Sequence, residues 1–327
     1  MPDVITFGEA MVRLAPPSHR RLEQTRTLDI TVGGAELDTA VGVARLGHTC
    51  SWVSRLTDNA LGRLIANHAR EAGVSTEACL WTPDDRVGLY FYEFGAAPRP
   101  SGVLYDRKDS AFANVRPGMF DWPRLLAGAK WFHITGITPA VGAETADATR
   151  EALGAARAAG VATSIDLNYR AKLWTLAEAG RCLGELVGLC DYLITTREDI
   201  ANVFGIEAPD HETAAARVAE RFALKAVALT MREGSLGWRN TLSAMQWHPG
   251  GILRTRSYEV EIVDRLGAGD SFAAGFIHGV LTGDLQKALD WGVAMSALKH
   301  TIPSDFAWVT REEVEALLGG AGMRVNR

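Results

Sequence analysis

The sequence predicts an α/β protein with a mainly parallel central sheet flanked by helices and a second, smaller β-sheet set apart from it. Three observations predict it. Segments of helical periodicity alternate with runs rich in β-branched residues, and several of the helices stop at a glycine. Two stretches, about 10–32 and 87–108, break that alternation with strand signals and no helix between them. A strand, a tight turn Gly267-Ala268-Gly269-Asp270 and a helix follow one another late in the chain.

Taken in order, Met1-Pro-Asp-Val-Ile-Thr-Phe has neither the charged nor the apolar region of a signal peptide and reads as a first strand. Met11-Val-Arg-Leu and Leu28-Asp-Ile-Thr-Val are strands of the first interruption. Gly33 and Gly34 lead into a helix over 37–46, ended by Gly47 and followed by Cys50-Ser-Trp-Val-Ser. A helix over 59–72, capped by Asp58, ends at Gly73. Val87-Gly-Leu-Tyr-Phe-Tyr-Glu-Phe94 and Val103-Leu-Tyr-Asp-Arg107 flank a Gly-Ala-Ala-Pro-Arg-Pro turn and read as antiparallel strands. Of Tyr90, Phe91, Tyr92 and Phe94, two are expected only to pack that hairpin. Helices over 144–159 and 212–223 precede strands at 161–167 and 226–230. Ser257 to Asp264 is the last strand, and Phe272, Phe276, Ile277, Val280 and Leu281 recur at helical spacing after it. Ligands of such sheets sit beyond the carboxyl ends of the strands. Asp166, Thr195, Thr230 and Asp264 are therefore expected to face one crevice.

Composition narrows the function classes. Residues are 47% hydrophobic and 22% charged, so a large core can form. A net charge of −5 with no basic stretch argues against nucleic acid as a partner. No apolar run approaches the ~18 residues needed to span a bilayer. Cys50, Cys79, Cys182 and Cys190 lack metal-like spacing and suit reduced thiols in a cytoplasm.

The glycine turn carries the chemistry. Amides freed at a helix start, together with the helix dipole, form a cradle for an anion. A Walker A loop is excluded because Asp270-Ser271 stands where Lys-Ser would be. A dinucleotide fingerprint is excluded because Phe272 takes the third glycine position. Asp270 then has two readings: a helix cap, or a base working beside a phosphate.

Asp264-Arg-Leu-Gly-Ala-Gly-Asp270-Ser-Phe resembles the C-terminal signature of the ribokinase-like (PfkB) carbohydrate kinases, Asp-x-x-Gly-Ala-Gly-Asp-x-Phe. Val32-Gly33-Gly34-Ala35-Glu36-Leu-Asp38 through Gly47 resembles their N-terminal signature, and the likeness covers essentially the whole chain. It implies a ribokinase-like fold over 1–327 as one kinase unit. The small sheet (about 10–32 and 87–108) becomes a lid over a sugar, and one through which a homo-oligomer can form. The implied co-substrate is ATP with Mg²⁺, with a monovalent cation as a further possible requirement. Asp270 is then the base, with Gly267, Ala268 and Gly269 holding the transferring phosphoryl group.

Within the family the chain is most similar to members acting on 2-keto-3-deoxygluconate, a small sugar acid, through Tyr90, Tyr105-Asp-Arg107, Phe132 to Ile137, Asp166-Leu-Asn168-Tyr-Arg170 and Lys299 to Asp305. By that resemblance Gly33, Gly34, Asp38, Tyr90, Tyr105, Arg107, Ile137, Arg170 and Asp305 contact the sugar acid. Arginine suits a carboxylate because its fork donates two parallel hydrogen bonds, although Arg170 could instead face nucleotide phosphates. Asn168, Thr196, Thr230, Gly234, Gly237 and Asp264 are the implied nucleotide contacts. Asp264 could orient the loop or a Mg²⁺-bound water, or simply end its strand. No direct metal ligand is expected, Asp199 acting at most through water. Two departures stand out: Arg232-Glu233 intrudes where the family's Thr-x-Gly-x-x-Gly segment has glycine, and Thr196-Arg-Glu-Asp199 replaces Asn-x-x-Glu.

Overall fold

The computed structural model describes residues 1–233 and 238–320. Gly234 and Gly237, expected at the nucleotide, lie outside the described residues. Among the described residues ten strands form the main sheet. Its parallel part runs in the order Ala226–Glu233, Tyr192–Thr195, Ala162–Asp166, Trp131–Thr135, Val4–Phe7, Cys50–Val53, Val74–Ser75. Arg239–His248 adds antiparallel to Ala226–Glu233 and in turn carries Gly251–Arg254 and Tyr258–Glu261. Helices pack on both faces, burying one apolar cluster around Trp52, Phe272 and Phe276 and another around Phe7, Phe132 and Leu193. Such two-sided burial explains why these strands read as continuous apolar runs rather than alternating ones.

The register sets the site. Thr135 pairs with Asp166, Asp166 with Ile194, and Thr195 with Leu229, so the carboxyl ends of four strands line up. Helices follow as expected at Ala35–Arg45, Ala143–Ala158 and His211–Phe222. One cap differs. The helix Ala60–Glu71 is capped by Asn59, whose side chain accepts from the amides of Leu61 and Gly62, while Asp58 reaches out to Arg63 at 2.6 Å. Asn59 is one residue nearer the first turn, where a side-chain oxygen can reach those amides.

The smaller sheet is four-stranded and separate, in the order Asp29–Gly33, Met11–Ala15, Leu89–Glu93, Gly102–Asp106. The outer pairs are antiparallel, but the central pair is parallel. Its two strands come from distant parts of the chain, so no tight turn fixes their relative direction. Tyr90 and Tyr92 are buried, whereas Phe91 and Phe94 are half-buried.

The helix Ala268–Thr282 is apolar almost all round and buried for most of its length. It packs on Ala35–Arg45 so closely that a Cβ on Gly42 would meet Ala274 at 2.6 Å. Phe272 and Phe276 anchor it, each burial contributing about 1.5–3 kcal/mol. This contact brings the two glycine segments together, since each stands at the start of one of these helices.

Candidate active site

Gly267 stands at the N-cap of Ala268–Thr282 with φ 77°, and a Cβ there would collide with the backbone carbonyl of Asp305. Only glycine meets both demands without strain. The first helical hydrogen bond runs from the Ser271 amide to the Gly267 carbonyl at 2.8 Å. The amides of Gly269 and Asp270 are thus left without an acceptor from their own helix, as at any helix start. The Asp270 carboxyl is buried, and its Oδ1 has no hydrogen-bond partner among the described residues. It is therefore not a helix cap. Burial raises its pKa well above the usual aspartate value, and Asp166 adds to the rise while Arg170 opposes it.

Two groups of residues meet at Asp270. The first lines a cavity of about 880 Å³ at the strand ends, with Asp166, Asn168, Arg170, Thr195, Thr196, Asp199, Thr230, Arg232, Arg265, Gly267 and Gly269 among its walls. Asp166 is pushed up to about 7 by burial and by Asp199, against the pull of Arg170. Its Oδ1 accepts the Asn168 amide at 3.2 Å, and Asn168 itself takes φ 38°, a conformation asparagine tolerates. Thr196 caps the helix Arg197–Phe204 through its hydroxyl, which accepts the Asp199 amide at 3.0 Å. Arg170 opens onto the cavity and has no ion-pair partner among the described residues.

The second group lies beside the smaller sheet, which carries Gly33 and Tyr90. Gly33 is pressed between Tyr90 Oη and the Asp305 carboxyl, where a Cβ would collide with both. Tyr90 Oη is buried beside the Asp305 carboxyl. Asp38 accepts the Gly34 amide at 3.2 Å, and burial, then Asp305 and Asp270, raise its pKa. Tyr90 pairs across the hairpin with Tyr105, ring centroids 6.1 Å apart. Arg107 is not a solvated surface residue: its side chain is 12% exposed and forms an ion pair with Glu9, which also accepts from Ser110. Its Nε is buried and has no hydrogen-bond partner among the described residues. Ile137 is half-buried at the head of the short helix after Trp131–Thr135.

Of the readings left open for Asp264, the structure fits the loop-orienting one and not the crevice. The residue does not line the strand-end cavity but is buried against Arg13, 2.6 Å from Asp264 to Nη2. Its oxygens also accept the amides of Leu266 and Ser304, both at 3.1 Å. A carboxylate so committed shapes the loop rather than meeting a nucleotide. Its strand, Tyr258–Glu261, ends three residues earlier on the antiparallel edge, which turns Asp264 inward.

Sequence reasoning missed the residues that brace these two groups. Arg13 bridges Asp264 and Asp305 (2.7 Å) and lies over the rings of Tyr92 and Phe94. Lys299 is buried beside the same acids and donates to the Ile302 carbonyl at 3.0 Å; burial lowers its pKa and Asp264 opposes this. Glu36 is buried as well and accepts from Thr135 and Thr138, tying the Gly33-Gly34 helix to the neighbouring strand end. A charge in a strand or helix start gives no sequence signal that separates it from solvent-facing neighbours.

Helix-start amides and arginine guanidiniums suit a polyphosphate, and the carboxylates of the same cavity suit one carrying a divalent cation. Among the described residues no three His, Cys, Asp or Glu side chains gather to hold a metal alone. The cavity's carboxylates are Asp166, Glu198, Asp199, Glu233 and Asp270, which could meet a metal through its water shell.

Comparison with known proteins gives this geometry a context. The crystal structure of 2-dehydro-3-deoxygluconokinase from Thermotoga maritima superposes with a TM-score of 0.94 at 42% identity, covering 97% of this chain and 98% of that one. A 2-dehydro-3-deoxygalactonokinase of Haloferax volcanii is 36% identical over 99% of both chains. A 5-dehydro-2-deoxygluconokinase of Shouchella clausii is 30% identical over 97% of this chain and 95% of its own. The pfkB family carbohydrate kinase profile matches residues 1–304, and the chain belongs to that family.

Proposed function

We propose that this kinase phosphorylates the primary hydroxyl of 2-keto-3-deoxygluconate with Mg-ATP, giving the 6-phosphate. The observation that supports the reading is that Asp270 stands between a charged strand-end cavity and the buried cluster of Tyr90, Asp305 and Asp38 beside the smaller sheet. Bound ATP supplies the phosphoryl group, and its Mg²⁺ neutralises charge on the phosphates. Asp270 accepts the hydroxyl proton as the oxygen–phosphorus bond forms and the bond to the ADP oxygen breaks. The Gly269 and Asp270 amides meet the phosphoryl oxygens, where one such donor is worth about 3–4 kcal/mol. Asp38 and Asp305 accept from sugar hydroxyls, and Arg107 turns its donors to the carboxylate.

A second reading has one observation in its favour: the Haloferax volcanii relative is named for the galacto acid, which differs at C4. ADP release should be measured with 2-keto-3-deoxygluconate, its galacto epimer, gluconate, fructose and ribose. Turnover confined to the keto-deoxy acids is expected. Arg107→Ala should raise KM for the acid roughly 10–100-fold, as for a lost charged hydrogen bond, and leave any neutral-sugar rate unchanged. Preference for fructose or ribose would remove the carboxylate role of Arg107.

The same reading places the enzyme in the cytoplasm, where its four cysteines, all free, remain reduced. It also pairs two copies through the lid, whose Ile30 and Leu104 are exposed apolar residues on its two edge strands, in one cross-strand row. Light scattering at micromolar concentration should give twice the chain mass. A monomer would rule this pairing out.

A further inference from the structure

The strand-end cavity holds a cation that neither the fold nor the proposed reaction has yet used. Arg232 lies at the end of Ala226–Glu233, two residues after Thr230 and on the same face of the strand. Its backbone pairs with Leu242, so the position is fixed by the sheet. The side chain is exposed and lines the cavity. It has no ion pair or hydrogen bond among the described residues.

Arg170 and Arg265 line the same cavity and repel its charge, while Asp166 attracts it. A guanidinium does not give up its proton at neutral pH, so this gathering of positive charge suits an anion entering the cavity. The proposed reading assigns Arg107 to the substrate carboxylate, and neither Arg107, Tyr90 nor Asp305 lines the cavity that Arg232 faces. The anion matched to Arg232 is therefore the polyphosphate.

We propose that Arg232 is a nucleotide-binding residue of this chain, gripping ATP phosphate oxygens from the strand wall while the Gly269 and Asp270 amides hold them from the helix start. This rests on the kinase reading above. It also accounts for the departure in Thr230-Met-Arg-Glu-Gly234: a side-chain fork replaces the close backbone approach that a glycine would allow.

Calorimetric titration of adenosine, AMP and ADP into wild type, Arg232→Ala and Arg232→Lys tests it, alongside steady-state kinetics. Arg232→Ala should weaken ADP about tenfold, leave adenosine unchanged, and raise KM for ATP with KM for the sugar acid unaltered. Arg232→Lys should recover part of the ADP loss. ADP affinity within twofold of wild type in Arg232→Ala would sink the proposal while the kinase reading stands. A raised KM for the sugar acid with ADP binding intact would overturn it in favour of a carboxylate contact. Wild-type protein that fails to bind ADP would sink both.

Discussion

Asp270→Asn should lower kcat by about 10²–10⁴-fold, the span of general-base contributions, while ADP affinity stays within a few-fold of wild type. The substitution keeps size and polarity but removes the proton acceptor. In wild type, kcat/KM should fall as pH is lowered, and the fall should begin at a higher pH than an ordinary aspartate would give. The sign follows from the raised pKa: catalysis needs the ionised carboxylate, and burial followed by Asp166 holds the proton on longer. Stability should move the other way at Asp166. Its folded pKa, about 7, lies above the unfolded value near ~3.9, so ionising it costs stability progressively between those limits. Rates from pH 5 to 9 with matched denaturant midpoints test both halves. A pH-independent rate, or an Asn variant with near-wild-type turnover, would remove Asp270 as the base.

Arg13→Met should destabilise the fold by about 3–5 kcal/mol, because it leaves Asp264 and Asp305 buried without their counter-charge. Arg13 is only 2% exposed, so water cannot replace it. Arg13→Lys should fall between wild type and Met: a point charge cannot donate to two carboxylates as a fork does. The Lys variant should also raise KM for the sugar acid, since Asp305 would lose its fixed position beside Tyr90. Urea midpoints and sugar-acid KM for both variants decide it. A Met variant within 1 kcal/mol of wild type would show that the two acids are held by Lys299 and backbone donors alone.

Much of the architecture was legible in the sequence because local patterns dictate it. Helical spacing of Phe272, Phe276 and Ile277 and the glycine turn before them place a helix start where one stands. The turn residues also point to an anion site without any tertiary information. What local pattern could not convey was the destination of isolated charges. Arg13, in Met11-Val-Arg-Leu, looks like the outward member of an alternating strand, yet it is wholly buried because the lid folds onto the loop after Tyr258–Glu261. Asp264 was read as a crevice residue for the same reason: its partner lies 251 residues away. The pKa of Asp270 depends on Asp166 and on burial, and neither is a property of the motif.

The tie between Arg13 and Asp305 spans 292 residues of sequence. Such a contact must wait for the slowest kind of loop closure, so the working pocket is among the last features a refolding chain acquires. During synthesis from the N-terminus, the lid strands emerge long before the acids that Arg13 must meet. Until the final segment arrives, the nascent chain carries an unpaired guanidinium beside half-covered aromatic rings. A compact chain at that stage is still without an enzyme's pocket.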